Sequence, residues 1–452
     1  MLKRRDIFLG MICVMFFLDT VGPVASMGAS AITWSLVITL LFVLPSGLIM
    51  AELGANYPAE GGMYAWVKMA YGPRWGARMS WLYWANNAIW ISSTTIFTVS
   101  VFCQIFIGEI GFLYELIMSI ILVWLIIFVS MRPLRATTLI TNLAAVFKIT
   151  VTVGMALMAV IYLAKGHGVA NDLSLKAFTP RVNESFLFLS ALVYNYMGFE
   201  VMSSSGNRIK NPRRDIPRVT IINAFMVSGL YVIAILAIII IVPAKDMSIV
   251  NAIMNCFLFA DLSAAVKAVI VYGFGLIFLS ILFAQAITWI SAAGRLAAGA
   301  SKDGELPRAF GVMHKKNDTP MGALLITGAV GTVLAVIYSF VATNAADLFW
   351  SLFSFTNIIF LIPYIINYAA FLKLKKTKPG TEGAYKVPGP PWVSMAFART
   401  GQFVLLLTIA VIIFTPGSPL NLFSCSMLIV GTLAVLVLGE IFIRNSQKKG
   451  RL

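Results

Sequence analysis

Charge is what this chain has least of. Asp, Glu, Lys and Arg together supply 12% of its 452 residues, against about 25% in an average soluble protein. Acids are the scarcer half, 18 Asp and Glu beside 34 Lys and Arg. There are two histidines and four cysteines, and Cys13, Cys103, Cys256 and Cys425 show no CxxC spacing, which argues against a disulfide framework or zinc site. His167 and His314 lack metal-ligand partners at useful spacing, and no metal or cofactor is expected. The polar–apolar alternation of a transmembrane β-barrel is missing as well. What the chain has instead is 60% hydrophobic side chains and a mean hydropathy of +0.89, arranged in continuous runs. This excludes an ordinary soluble enzyme and a disordered chain. A polytopic α-helical membrane protein remains.

Apolar runs bounded by charges and Gly/Pro clusters predict twelve spans, over residues 7–27, 32–54, 77–107, 113–131, 137–164, 186–206, 219–243, 264–294, 321–341, 347–372, 400–415 and 423–443. The third and eighth exceed what a bilayer needs, so tilt or extra turns outside it are expected, and the eleventh is short. The first follows Lys3, Arg4 and Arg5 with no small-residue cleavage site and reads as a permanent span, not a signal peptide. Basic residues set the orientation. With the N-terminus inside, 28 of 34 Lys and Arg fall in cytoplasmic segments or at their span ends, five fall outside, and Lys148 is left in the middle of a span. Both termini are therefore expected in the cytoplasm of a plasma-membrane protein. The net charge of +16 then reflects loops facing anionic lipid rather than nucleic acid.

Two spans carry breaks. The first is interrupted at Asp19-Thr20-Val21-Gly22-Pro23, the sixth at Asn195-Tyr196-Met197-Gly198-Phe199-Glu200. Five spans separate them, so the two halves run in opposite directions, the sequence pattern of an inverted-repeat transporter with its site at the breaks. Ionisable groups in hydrocarbon are costly and mark function by default, and three stand out here. Asp19 either meets a substrate or proton, or caps the second half-helix. Glu200 is either a gating or proton-carrying acid, or a structural carboxylate bonded to freed backbone. Lys148 lies mid-span beside Thr141, Thr152 and Met155, with a partner stripe of Ser280, Ala284, Thr288 and Ser291 in span eight; it stands in for a small cation or holds helices together. Tyr83, Asn87, Trp90 and Thr94 share one face of span three by 4-3-4 spacing, as a cavity wall or a polar seam. Trp75 and Trp81 read as interfacial belt residues.

Several segments then resemble one family. Pro58-Ala59-Glu60-Gly61-Gly62-Met63-Tyr64, Gly198-Phe199-Glu200 with Lys210-Asn211-Pro212-Arg213-Arg214-Asp215-Ile216-Pro217, and Lys302-Asp303-Gly304-Glu305-Leu306-Pro307 with Thr319-Pro320 are similar to motifs of the amino acid–polyamine–organocation (APC) transporters, in register over residues 6–443. The resemblance implies a LeuT-type fold: inverted repeats over 7–164 and 186–372, two further helices over 400–443, and discontinuous helices 1 and 6. It implies a substrate held at those breaks, by Asp19, Thr20, Gly22, Ser26, Asn87, Tyr194, Gly198 and Trp289. It also implies an acid at Glu200, a cytoplasmic gate at Tyr364, and at Lys148, with Thr288 and Ser291 nearby, the lysine that replaces sodium in sodium-independent members. One departure is visible. The family's small-residue triplet of helix 1 is replaced by a segment containing Asp19, which suits an amine.

The leading reading is a sodium-independent, proton-linked or exchange carrier of amino acids working by alternating access. The alternative is a carrier of polyamines or other organic amines. A membrane-embedded enzyme lacks a catalytic constellation, and a channel lacks a repeated filter-like loop.

Overall fold

A backbone in hydrocarbon has no water to bond, so each apolar run must satisfy itself as helix. The structure, a computed structural model, describes residues 4–57, 61–180, 186, 188–203, 211–247, 252–259, 262–340, 342, 344–377, 385–416 and 422–449. Among the described residues all regular structure is helical, with no strand. Of the sequence motifs, Pro58-Ala59-Glu60 and Lys210 fall outside them. So do Lys3, Arg181, Arg208, Lys378 and Arg451 of the orientation argument.

The first apolar run yields α1 (Arg4–Met15) and α2 (Val21–Ala25). The next yields α3 (Ser30–Ile38) and α4 (Leu44–Asn56), joined by a π turn just ahead of Pro45, whose missing N–H disturbs the helical ladder. After α5 (Met63–Tyr71) come α6 (Pro73–Phe102), α7 (Phe112–Ser130) and α8 (Leu134–Ala164). The sixth run is again divided, into α9 (Phe188–Asn195) and α10 (Phe199–Ser203). Then follow α11 (Pro212–Ile241), α12 (Ala252–Leu258), α13 (Ala264–Lys302), α14 (Met321–Ser339), α15 (Ala345–Thr377), α16 (Pro391–Ile413) and α17 (Leu422–Lys449). Among the described residues, ten helices are long and apolar enough to cross a membrane. The two divided runs are not among these ten.

Three expectations need correction. The eleventh span is not short: α16 begins at Pro391, and Arg399 hid its first turns from a purely apolar window. Trp81 is no belt residue; it is buried, its indole N–H donating to the Val435 carbonyl at 2.8 Å, whereas Trp75 is exposed. Ser280 leaves the proposed stripe, being exposed and bonded back to Leu276. The short helices α5 and α12 are apolar, but at nine and seven residues they are too short to be counted as spans.

α6 is the pillar, buried along nearly its whole length and packed on α15, α13, α14 and α7. α1 packs on α8, α11 and α13, which brings the first break against both lysine- and glutamine-bearing helices. Two sequence motifs also meet. Lys68 of α5 lies 2.6 Å from both Asp303 and Glu305, and the Tyr64 hydroxyl sits 2.7 Å from Glu305 and 2.8 Å from Asp303. Burial pushes the Glu305 carboxyl up. For the more exposed Asp303, burial is outweighed by the hydrogen bonds from Lys68 and Tyr64, which pull its carboxyl below the usual value.

Candidate functional site

α1 ends at Met15 because the chain turns out of helix through Phe16–Thr20 before α2 begins at Val21. Gly22 and Pro23 lie inside α2, so the non-helical stretch falls just N-terminal to the Gly-Pro pair that the sequence pointed to. Pro23, third in a new helix, forfeits only a donor that the first turn leaves unpaired anyway. The carbonyls that end α1 are met by Lys148, whose side chain reaches across from the middle of α8. Its ammonium donates to the Cys13 carbonyl at 2.6 Å, to the Phe16 carbonyl, and to Oε1 of Gln285 at 2.5 Å. Three donors thus meet three oxygens, at the negative end of a helix.

Asp19 contrasts with this. It is 2% exposed, and neither carboxylate oxygen has a hydrogen-bond partner. The charge of Lys148 acts on it, and the side chain of Gln285 lies beside it. A buried acceptor left unpaired costs about 1–3 kcal/mol, more when charged, and native structures hold few of them. Other unpartnered polar atoms at the site include the Gln285 and Asn195 amide nitrogens, Asn87 Oδ1, the Trp289 indole N–H and the Ser291 hydroxyl.

The acid at the second break is satisfied instead. α9 stops at Asn195, and Gly198 takes φ +124°, a conformation closed to L side chains. A Cβ there would also strike Val14 at 2.5 Å, so only glycine lets the two breaks approach. Glu200 accepts from the Tyr83 hydroxyl at 2.8 Å and from the Tyr364 hydroxyl. Tyr364 in turn accepts from the Gly198 N–H at 2.9 Å. Each oxygen of this acid has a phenol.

Two contacts tie the breaks together. The Thr20 hydroxyl donates to Asn195 Oδ1 at 2.5 Å. The Tyr231 hydroxyl of α11 accepts from the Phe17 N–H at 2.6 Å and lies 3.1 Å from the Met15 carbonyl and 3.2 Å from that of Asn195. Aromatic rings surround the junction. Phe17 packs edge-on to Tyr194 at 5.4 Å between centroids and lies 6.0 Å from Trp289, and Phe360 joins Tyr194 at 5.3 Å and Trp289 at 5.5 Å. Such rings present negative faces to a cation.

The structure therefore brings Asp19, Thr20, Tyr194, Gly198, Trp289, Lys148, Glu200 and Tyr364 to one junction. The 4-3-4 face of α6 reaches it through Tyr83 and through Trp90, whose ring lies 6.2 Å from Phe17. Asn87 is buried there, its amide donating to the Tyr83 carbonyl. Ser26 is half-buried and donates to Pro23 of its own turn. Thr288 bonds Thr141 at 2.8 Å, bridging α13 to α8 on the lysine's face. Sequence reasoning missed Phe17, Gln285, Tyr231 and Phe360. Gln285 carried a signal, as a lone amide four residues before Trp289 in an apolar run. Phe17 and Phe360 carried none.

Comparison with known proteins adds the following. The sequence profile described as amino acid permease matches residues 7–437. A protein named probable agmatine/putrescine antiporter AguD, of Lactococcus lactis, is 29% identical over 443 residues, which covers 97% of this chain and 93% of that protein. An uncharacterized transporter of Legionella pneumophila is 25% identical over 437 residues, covering 93% and 91%. A probable polyamine transporter of Arabidopsis thaliana is 24% identical over 359 residues, covering 77% and 66%.

Proposed function

Since the chain belongs to the amino acid permease family and is a membrane transporter rather than an enzyme, we propose that it exchanges small organic amines by alternating access. The observation that carries this reading is the Asp19 carboxylate, buried and unpartnered among aromatic rings. An alkylammonium supplies the donors that carboxylate lacks, and its methylenes suit the faces of Phe17, Tyr194 and Trp289. The cargo named for the Lactococcus relative, agmatine and putrescine, is of this class. Thr20, Gly22, Ser26, Asn87 and Gly198 belong to the wall around it in this reading.

The remaining roles follow from charge. Lys148 fills the oxygen-lined place that a sodium ion takes where unwound carbonyls bind one, with Thr288 and Ser291 beside it, and so transport runs without sodium. Glu200, held by two phenols, couples a proton to the movement of Tyr364. The architecture proposed is twelve crossings, made of the ten long helices and the two divided runs. It is arranged as inverted repeats over 7–164 and 186–372 with 400–443 appended, both termini facing the cytoplasm of a plasma-membrane protein. Cysteines placed near Lys176 should react with an impermeant thiol reagent from outside and those near Lys376 should not; the reverse pattern would sink this topology.

A second reading is a zwitterionic amino acid, favoured by the family's description. The discriminating experiment is a thermal-shift series on the purified chain with putrescine, agmatine and amino acids, followed by counterflow in proteoliposomes. A ligand bound at 100 times its dissociation constant stabilises by about 2.7 kcal/mol. Diamines should raise the melting temperature and drive counterflow in choline buffer. Stabilisation by neutral amino acids alone would overturn the amine reading.

A further inference from the structure

Far from the breaks, where the first turns of α6 meet the last turns of α17, three arginines share one acid. Arg74 and Arg444 both pair with Glu440 Oε1, the latter at 3.1 Å, and Arg78 pairs with Oε2 at 3.0 Å. Among these four side chains the charge is left two units positive. The guanidinium of Arg78 also lies over the Trp75 ring at 4.7 Å, and the side chains of Arg74 and Arg444 are 46% and 65% exposed. Beneath them opens a groove of about 420 Å³, within the range of ordinary small-molecule sites. Arg78 and Glu440 form its polar end, and Trp81, Ile362, Ile366 and Leu436 line the apolar remainder. Gly439 keeps it in shape, since a Cβ there would collide with the Trp81 indole.

A charged rim above an apolar slot, on helix faces that look into a bilayer, has a specific chemical complement. We propose that this groove holds one anionic phospholipid, its phosphate on Arg74, Arg78 and Arg444 and an acyl chain along Leu436 and Ile366. Guanidinium groups match phosphate oxygens in bidentate geometry, and the lipid phosphate supplies the negative charge that Glu440 alone leaves short. The greasy end matters equally. A free anion gains nothing from an apolar slot, whereas an acyl chain fills it. The lipid would clamp α17 to α6 and α15, the helix pair whose inner faces carry Tyr83 and Tyr364.

The test is native mass spectrometry of the purified full chain, titrated separately with dioleoyl phosphatidylglycerol and dioleoyl phosphatidylcholine. Wild type should retain one phosphatidylglycerol in preference to phosphatidylcholine. Arg74→Ala with Arg444→Ala should lower that affinity roughly 30-fold, each interfacial arginine contributing about a factor of five. Leu436→Trp should abolish retention by filling the slot. Glu440→Gln should raise phosphatidylglycerol affinity by about fivefold, a gain that simple loss of helix docking would not produce. Equal retention of the two lipids, no gain in Glu440→Gln, or displacement of the lipid by millimolar inorganic phosphate would overturn the proposal. So would a dimer that Leu436→Trp splits, since the groove would then belong to a second copy.

Discussion

The two helix breaks hold one carboxylate each and treat it in opposite ways. Glu200 at the second break is saturated, with a phenol on either oxygen and a glycine N–H behind one of them. Asp19 at the first is buried to the same degree, yet neither of its oxygens has a hydrogen-bond partner and only the charge of Lys148 offsets it. The first break's hydrogen-bonding capacity goes to its carbonyls, which Lys148 takes up, and not to its acid. Buried polar groups are normally paired because orphaning one costs more than the bond itself contributes. A satisfied acid is suited to holding a conformation. An unsatisfied one is suited to a guest that brings its own donors.

The sharpest way to break this contrast is to remove Lys148. Lys148→Met strands the Cys13 and Phe16 carbonyls and leaves Asp19 as an uncompensated buried charge, so unfolding should become easier by about 3–5 kcal/mol and transport should stop. Combining it with Asp19→Asn should cost less than the sum of the two singles, and strict additivity in that double-mutant cycle would show that the lysine and the acid do not interact.

Next in size is Asp19→Asn alone. Losing a charge-assisted hydrogen bond of about 1.5–3 kcal/mol should weaken amine binding roughly 10- to 150-fold, with no loss of melting temperature without ligand. Normal binding together with a lower melting temperature would make the role of Asp19 structural and overturn the substrate contact. Glu200→Gln should do the converse: binding changes little, stability falls by about 1–2 kcal/mol as a phenol contact weakens, and the pH profile of flux flattens. An unchanged pH profile would remove the proton role.

Tyr231→Phe deletes the hydroxyl shared by both breaks and should cost about 1 kcal/mol, with diamine affinity falling as the junction loosens. The smallest effect is expected at a carboxylate remote from both breaks. Asp303→Asn should cost under about 1 kcal/mol at neutral pH. Because its partners hold the folded Asp303 carboxyl below its usual value, that contribution is present above the unfolded pKa of about 3.9 and disappears as pH falls through the lower folded value. The gap between variant and wild type should therefore close on acidification, as followed by chemical denaturation at several pH values.

The sequence made the charges at this junction legible because hydrocarbon makes charge rare. Asp19, Lys148 and Glu200 stood out against apolar neighbours, as did Gly198, whose positive φ the structure requires. The apolar half of the site was not legible. Phe17 and Phe360 sit among many similar phenylalanines, and nothing in spacing tells an inward ring from a lipid-facing one. Helix ends were blurred for a different reason. Gly22 and Pro23 suggested where helix fails, yet proline is tolerated in a first turn, so the actual break slid to the residues just before them. Arg399 hid a real helical turn because charge at a membrane surface looks the same whether its backbone is helix or loop.

α13 has a mechanical consequence. At 39 residues it is a rod of about 58 Å, long enough to protrude well past a core of about 30 Å. Trp289 and Gln285 sit along its middle, and Asp303 and Glu305 follow directly on its tip. From Trp289 to the tip is about 20 Å, so a pivot of about ten degrees at the junction would swing the tip by about 3.5 Å. That travel is as long as a hydrogen bond, enough to pull both acids off Lys68 and Tyr64. Pivoted at the site, a rod of this length would act as a lever, with the Lys68–Asp303–Glu305 contacts at its far end.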